Sequence, residues 1–158
     1  MIKKKKKYEK PRKRFEKARI KEENLLLKKY GLKNKKEIWK TDAKIKYFRR
    51  MAKKLAKKDE ASKEKFFQKL NLIGLKVDSI SDVLSLRIED LLERRLPTIV
   101  FKRGLAKTVK QARQFVTHKK VMVGERVINI PSYLVKVAEE DTIKLRKIEI
   151  KDKGENEK

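Results

Sequence analysis

Residues 94–120 read RRLPTIVFKRGLAKTVKQARQFVTHKK. Thr108 is a favourable helix N-cap, and from Val109 apolar residues recur at helical spacing. At about 100° per residue, Val109, Ala112, Phe115 and Val116 fall within an arc of about 120°. Lys110, Gln114 and His118 align as a ridge four residues apart, with Arg113 and Thr117 beside it. One side of this helix is built to pack, and the other offers cations and planar hydrogen-bonding groups. Upstream, Pro97 suits the first turn of another helix, which carries Ile99, Val100 and Phe101 and stops at Gly104. Two short helices joined by a basic turn holding Lys102, Arg103 and Lys107 are therefore expected.

The same stretch contains nine basic residues: Arg94, Arg95, Lys102, Arg103, Lys107, Lys110, Arg113, Lys119 and Lys120. It contains no acidic one. A solvated amphipathic helix would satisfy the periodicity, but such helices normally mix signs to gain ion pairs. A phosphate backbone is the complementary partner: lysine brings a mobile point charge and arginine a planar fork. The amides of Lys110 and Gln111, next to the Thr108 hydroxyl, are expected to seat a phosphate at the helix start. His118 reads either as a helix-end group favoured by the dipole or as a contact to the same polyanion. Glu89, Asp90 and Glu93 read as partners for Arg87, Arg94 and Arg95 rather than as an active site.

Beyond Lys120 the pattern changes to short β-like runs. Val121, Val123, Val127, Ile128, Ile130, Tyr133, Val135 and Val137 predict strands and turns, with Gly124-Glu125 as a hairpin turn. Glu139, Glu140 and Asp141 read as a turn before a last strand over Thr142 to Ile150. That strand alternates at Ile143 and Leu145, then slips phase at Ile148 and Ile150, which predicts a bulge or break. Residues 151–158 are a polar tail.

Toward the N-terminus the chain reads as helices. A helix is predicted from Pro11 to about Tyr30, stopped at Gly31, its first half solvated or laid on a partner. Asn34 with Glu37 resembles a capping box. It opens a helix with the stripe Ile38, Ile45, Phe48, Ala52 and Leu55. Trp39 flanks that stripe and suits packing better than base stacking. Asp59 caps a third helix bearing Phe66, Phe67, Leu70 and Ile73, closed by Gly74. Ser81 starts a brief turn through Leu84, and a further helix spans about Arg87 to Arg95. The organisation is a basic tail over 1–10, a helical region over 11–93, a two-helix and sheet module over 94–150, and the tail. The fold class is α+β: a helical N-terminal half, then a small two-helix plus antiparallel-sheet module.

Charge narrows the possible partners. The 158 residues carry a formal net charge of +26, which favours binding to a polyanion, nucleic acid or anionic membrane. With 44% charged residues the apolar core is modest. No apolar run approaches the roughly 20 residues of a membrane span, and the lysine-rich start lacks the apolar stretch of a secretory signal. Without cysteine there is no disulfide or thiolate zinc site, and one histidine alone holds no metal. The five glycines are dispersed, so no glycine-rich phosphate loop exists, and neither cofactor nor small-molecule substrate is expected.

The run LERRLPTIVFKRGLAKTVKQARQFVTHKKVMVGERVINIPSYLVKVAEEDTIKL resembles the RNA-binding module of the family of small ribosomal subunit protein S-four. ERRL, GLAKTVKQARQ, His118 and VINIPSYLV carry the likeness. YEKPRKRFEKARIKEENLLLKKYGLKNKKEIWK and FRRMAKKLAK are similar to the family's archaeal and eukaryotic branch. The resemblance spans about residues 5–148. It implies a non-enzymatic, cytoplasmic, ribosome-bound protein that binds small-subunit ribosomal RNA at a multi-helix junction early in assembly. It further implies a position near the messenger entry channel beside protein S-five, bearing on decoding accuracy. The family's contact region transfers to Lys107, Thr108, Lys110, Gln111, Arg113 and Gln114, and its paired arginines to Arg94 and Arg95. Ser132 and Tyr133 match its closing turn. Lys119 stands where relatives often have glycine, and Gly124-Glu125 where they often have Asn-Gly. The expected RNA-binding set is Arg94, Arg95, Lys102, Arg103, Lys107, Thr108, Lys110, Gln111, Arg113, Gln114, His118, Lys119 and Lys120. Two other readings remain: the RNA-binding part of an RNA-modifying enzyme, and a basic helical protein on DNA or a membrane surface.

Overall fold

The computed structural model describes residues 7–57 and 59–146. Three helices come first: α1 (Lys17–Lys29), α2 (Lys35–Leu55) and α3 (Glu60–Leu72). Four short ones follow: α4 (Ile80–Ser85), α5 (Ile88–Glu93), α6 (Leu96–Lys102) and α7 (Val109–Thr117). Strands β1 (Val121–Val123) and β2 (Arg126–Val127), the single-turn helix α8 (Val137–Glu140) and strand β3 (Ile143–Leu145) complete the described residues. β1 is central and pairs antiparallel with both neighbours, Val123 opposite Arg126 on one side and opposite Ile143 on the other.

Apolar spacing explains the first core. The α2 residues that are buried are Ile38, Ile45, Phe48, Ala52 and Leu55, the predicted stripe. Ile45, Phe48 and Ala52 pack with Leu70, Leu75, Val77, Val83, Leu86 and Leu91. The second core joins Leu96, Ile99 and Val100 of α6 to Ala112 and Val116 of α7, with Val121, Val135 and Ile143 beneath. A fully buried leucine such as Leu96 is worth roughly 1.5–3 kcal/mol over an exposed one.

The two cores meet at a seam. Leu96 donates its amide to the Tyr133 carbonyl at 2.9 Å, and Val135 donates to the Arg94 carbonyl at 3.0 Å. The Arg95–Leu134 bridge lies between them. Leu134 packs against the first core and its neighbour Val135 is buried in the second. Extended backbone sends successive side chains to opposite sides, so one segment serves both.

Several expectations are corrected. The first helix begins at Lys17, and residues 11–16 form bends and turns. The brief helix after the third is capped by Ser79, not Ser81. Ser79 and Asp82 exchange the reciprocal bonds of a capping box, a pattern present in the sequence. The strands expected across Ile130, Tyr133, Val135 and Val137 are instead a turn, the Leu134 bridge and α8. Tyr133, Leu134 and Val135 pack on the two cores while Ile130 and Val137 are exposed, and Pro131, lacking an N–H, interrupts any ladder. The hairpin does turn at Gly124-Glu125, with Gly124 at φ 60. Ile148 and Ile150 lie outside the described residues.

Candidate nucleic-acid interface

The start of α7 is closed by its own side chains. Gln111 donates its amide to the Thr108 hydroxyl at 3.1 Å, and Lys107 donates its amide to Gln111 Oε1 at 2.7 Å. A cap of this kind contributes about 1 kcal/mol. Gly31, just past α1, lies against the same turn. A Cβ there would stand 3.3 Å from the Lys110 nitrogen and 3.0 Å from Val109 Cγ1. The expected phosphate seat on these amides is therefore not open: Thr108 occupies one and the end of α1 sits over the other.

Acids from outside this acid-free stretch reach five of its nine bases. Arg113 grips Glu37 with both guanidinium nitrogens, at 2.7 and 3.1 Å, and Arg95 donates to the same carboxylate at 2.7 Å. Arg95 is only 5% exposed and also donates to the Pro131 carbonyl at 3.2 Å. Arg94 lies across Gly74 and donates to the Ile73 and Val135 carbonyls and to Glu140. Arg103 pairs with Asp141, and Lys102 with Glu93. The acids do not find their expected partners either: Glu89 faces Lys29, Asp90 caps the Arg87 amide, and Glu93 faces Lys102.

All four arginines of the stretch are thus tied to carboxylates, and among the described residues four of its five lysines are not. A planar fork meets a carboxylate with two parallel bonds and tolerates desolvation better than a compact ammonium. Burial alone pushes the Glu37 carboxyl up, but the hydrogen bonds and charges of Arg113 and Arg95 outweigh it and hold it below 4.5. The spacing of Asn34 and Glu37 predicts a capping box. In the structure the Asn34 side chain makes no cap bond, and Glu37 turns to the module.

What remains outward is a ridge along α7. Lys110, Gln114 and His118 are exposed, with Lys107 and Thr108 before them and Lys119 after. Lys120 is half-buried, its Nζ 5.9 Å from the Phe115 ring centre. Among the described residues, Lys107, Lys110, Lys119 and Lys120 have no carboxylate partner. Lys119 adopts a left-handed backbone, φ 58. Its amide goes to the Val116 carbonyl and that of Lys120 to the Phe115 carbonyl, the double closure that glycine usually makes at a helix end. A side chain in that conformation costs about 1 kcal/mol.

Among the described residues no group of three or more His, Asp or Glu could hold a metal, and no helix is long and apolar enough to cross a membrane. The arrangement is suited to neutralising phosphates.

Comparison with known proteins agrees with this geometry. Residues 94–143 match the S4 domain. The chain is similar to small ribosomal subunit protein uS4 of Methanococcus aeolicus, 52% identical over 121 residues, which covers 72% of this chain and 68% of that one. It is 46% identical to uS4 of Picrophilus torridus over 149 residues, covering 88% and 81%. It is 39% identical to uS4 of Nanoarchaeum equitans over 151 residues, covering 90% and 84%. Likeness of this extent along both chains makes the assignment: the protein belongs to the uS4 family of small ribosomal subunit proteins.

Proposed function

We propose that this chain is a structural, non-enzymatic constituent of the small ribosomal subunit that binds the subunit's ribosomal RNA directly. The observation that carries the reading is the exposed α7 ridge with its unpaired lysines. The contact face is Lys107, Thr108, Lys110, Gln111, Gln114, His118, Lys119 and Lys120. Lys102 and Arg103 stand at its margin; their ion pairs are exposed and worth little, so phosphate can exchange for them. Arg94, Arg95 and Arg113 serve by fixing the module, residues 94–150, on the helical region, residues 11–93. Family likeness supports placing the protein on the cytoplasmic ribosome, beside protein S-five near the messenger entry channel. There it nucleates assembly of the subunit body and bears on decoding accuracy.

Binding works through charge and shape, because A-form RNA hides its base edges in a deep, narrow groove. If about 8–12 phosphates are neutralised, log K against log salt should slope by about −6 to −11 for a small-subunit RNA junction fragment. A slope shallower than about −3 would refute extensive backbone contact. Turnover of RNA by the purified chain would instead favour an RNA-modifying enzyme.

The strain at Lys119 supports its role, since a costly conformation persists where the side chain is needed. Lys119→Gly should stabilise the fold by about 1 kcal/mol, seen as a melting point about 2–4 °C higher. The same variant should bind the RNA fragment about fivefold to tenfold more weakly at about 0.1 M salt. A stabilised variant with unchanged affinity would remove Lys119 from the contact face.

A further inference from the structure

The second basic region, far from α7 in sequence, has an apolar slot at its centre. Pro11, Phe15, Ile20 and Trp39 line a cavity of about 560 Å3 between residues 10–15 and the adjacent ends of α1 and α2. Phe15 is 90% exposed, so it serves no core. Lys10, Arg14 and Lys36 stand at the rim, exposed and without a carboxylate partner among the described residues.

The slot is held in shape. Glu23, only 5% exposed, accepts the Trp39 indole N–H at 2.9 Å and Arg19 Nη1 at 2.7 Å. Arg19 in turn donates to the Lys13 and Arg14 carbonyls at 2.8 and 3.0 Å, which fixes the turn that carries Phe15. The Tyr8 ring sits 6.1 Å from that of Trp39. One buried carboxylate thus sets both the tryptophan plane and the loop that presents the phenylalanine. A water-facing aromatic held in a fixed orientation beside unpaired cations is what a stacked base with its own phosphates requires.

We propose that this slot takes an unpaired nucleobase of single-stranded RNA, stacked on Trp39 and Phe15, with the flanking phosphates on Lys10, Arg14 and Lys36. This deepens the reading of the chain as an RNA-binding protein and rests on it. A duplex does not fit, because its bases are already stacked within the helix. An apolar peptide leaves the three rim cations unanswered.

The chain contains one tryptophan, so its emission reports on the slot alone. The full chain is titrated with an oligoadenylate of about twelve nucleotides and, separately, with an RNA duplex of about twelve base pairs. Affinities are read by anisotropy of end-labelled RNA. The oligoadenylate should quench Trp39 emission by about half or more, whereas the duplex should bind with little quenching. Phe15→Ala removes almost no buried surface, so it should keep the fold. It should weaken the oligoadenylate about tenfold and leave the duplex unchanged. Binding of both RNAs without preferential quenching by the single strand, or an unchanged oligoadenylate affinity in Phe15→Ala, overturns the slot and leaves RNA binding through α7 standing. If neither RNA binds, the general reading fails with it.

Discussion

Glu37→Ala is expected to lower the unfolding free energy by about 3 kcal/mol, because it strands the buried Arg95 guanidinium and the Arg113 fork together. For a chain of this length that corresponds to a melting point lower by about 6–12 °C. Glu37→Gln keeps the shape and some hydrogen bonds but leaves two guanidinium charges facing a neutral amide, so it should fall between. Acid should reproduce the effect in the wild type. The folded-state carboxyl lies below 4.5, so its contribution is complete above that value and is lost as pH falls through the lower folded-state pKa. The stability gap between wild type and Glu37→Gln, measured by urea unfolding, should therefore be widest near neutrality and narrow progressively in acid. A loss under about 1 kcal/mol for Glu37→Ala would show that the two halves are held by their apolar seam alone.

Exchanging Lys107, Lys110, Lys119 and Lys120 together for glutamine should weaken binding to the small-subunit RNA fragment about a thousandfold at about 0.1 M salt. The salt slope should become shallower by about 3, at 0.7–0.9 for each phosphate lost. Stability should move little, because none of the four side chains has an ion-pair partner among the described residues. An unaltered slope would shift the principal contact to the N-terminal helices.

Much of the fold was legible because it rests on local regularities. The α2 stripe needs only a period, and all five of its predicted residues are buried. Thr108 and Gly104 needed only the chemistry of helix ends. The surroundings of the candidate site were legible only in part, for a reason visible in the arginines. An acid-free window in sequence is not an acid-free volume: Glu37 lies 58 residues from Arg95 and 76 from Arg113, and Glu140 lies 46 from Arg94. A cap three residues away was the nearest use for Glu37, and a charged tertiary partner outweighed it. The apolar spacing of VINIPSYLV reads as strand, although Val127 and Ile130 are exposed and only its end, Tyr133 to Val135, packs on two sides. Only the packing shows that Leu134 and Val135 belong to different cores.

That division has a consequence for synthesis. A chain emerging from its N-terminus completes α1 to α5 while Leu134, which covers one flank of their core, has still to be made. The Glu37 carboxylate likewise waits for Arg95 and Arg113. The leading half thus leaves the exit tunnel unfinished, lysine-rich and with apolar surface uncovered, and it closes late, when residues 133–135 align beside 94–96. A truncated product ending before that segment should be the species that a nascent-chain chaperone retains.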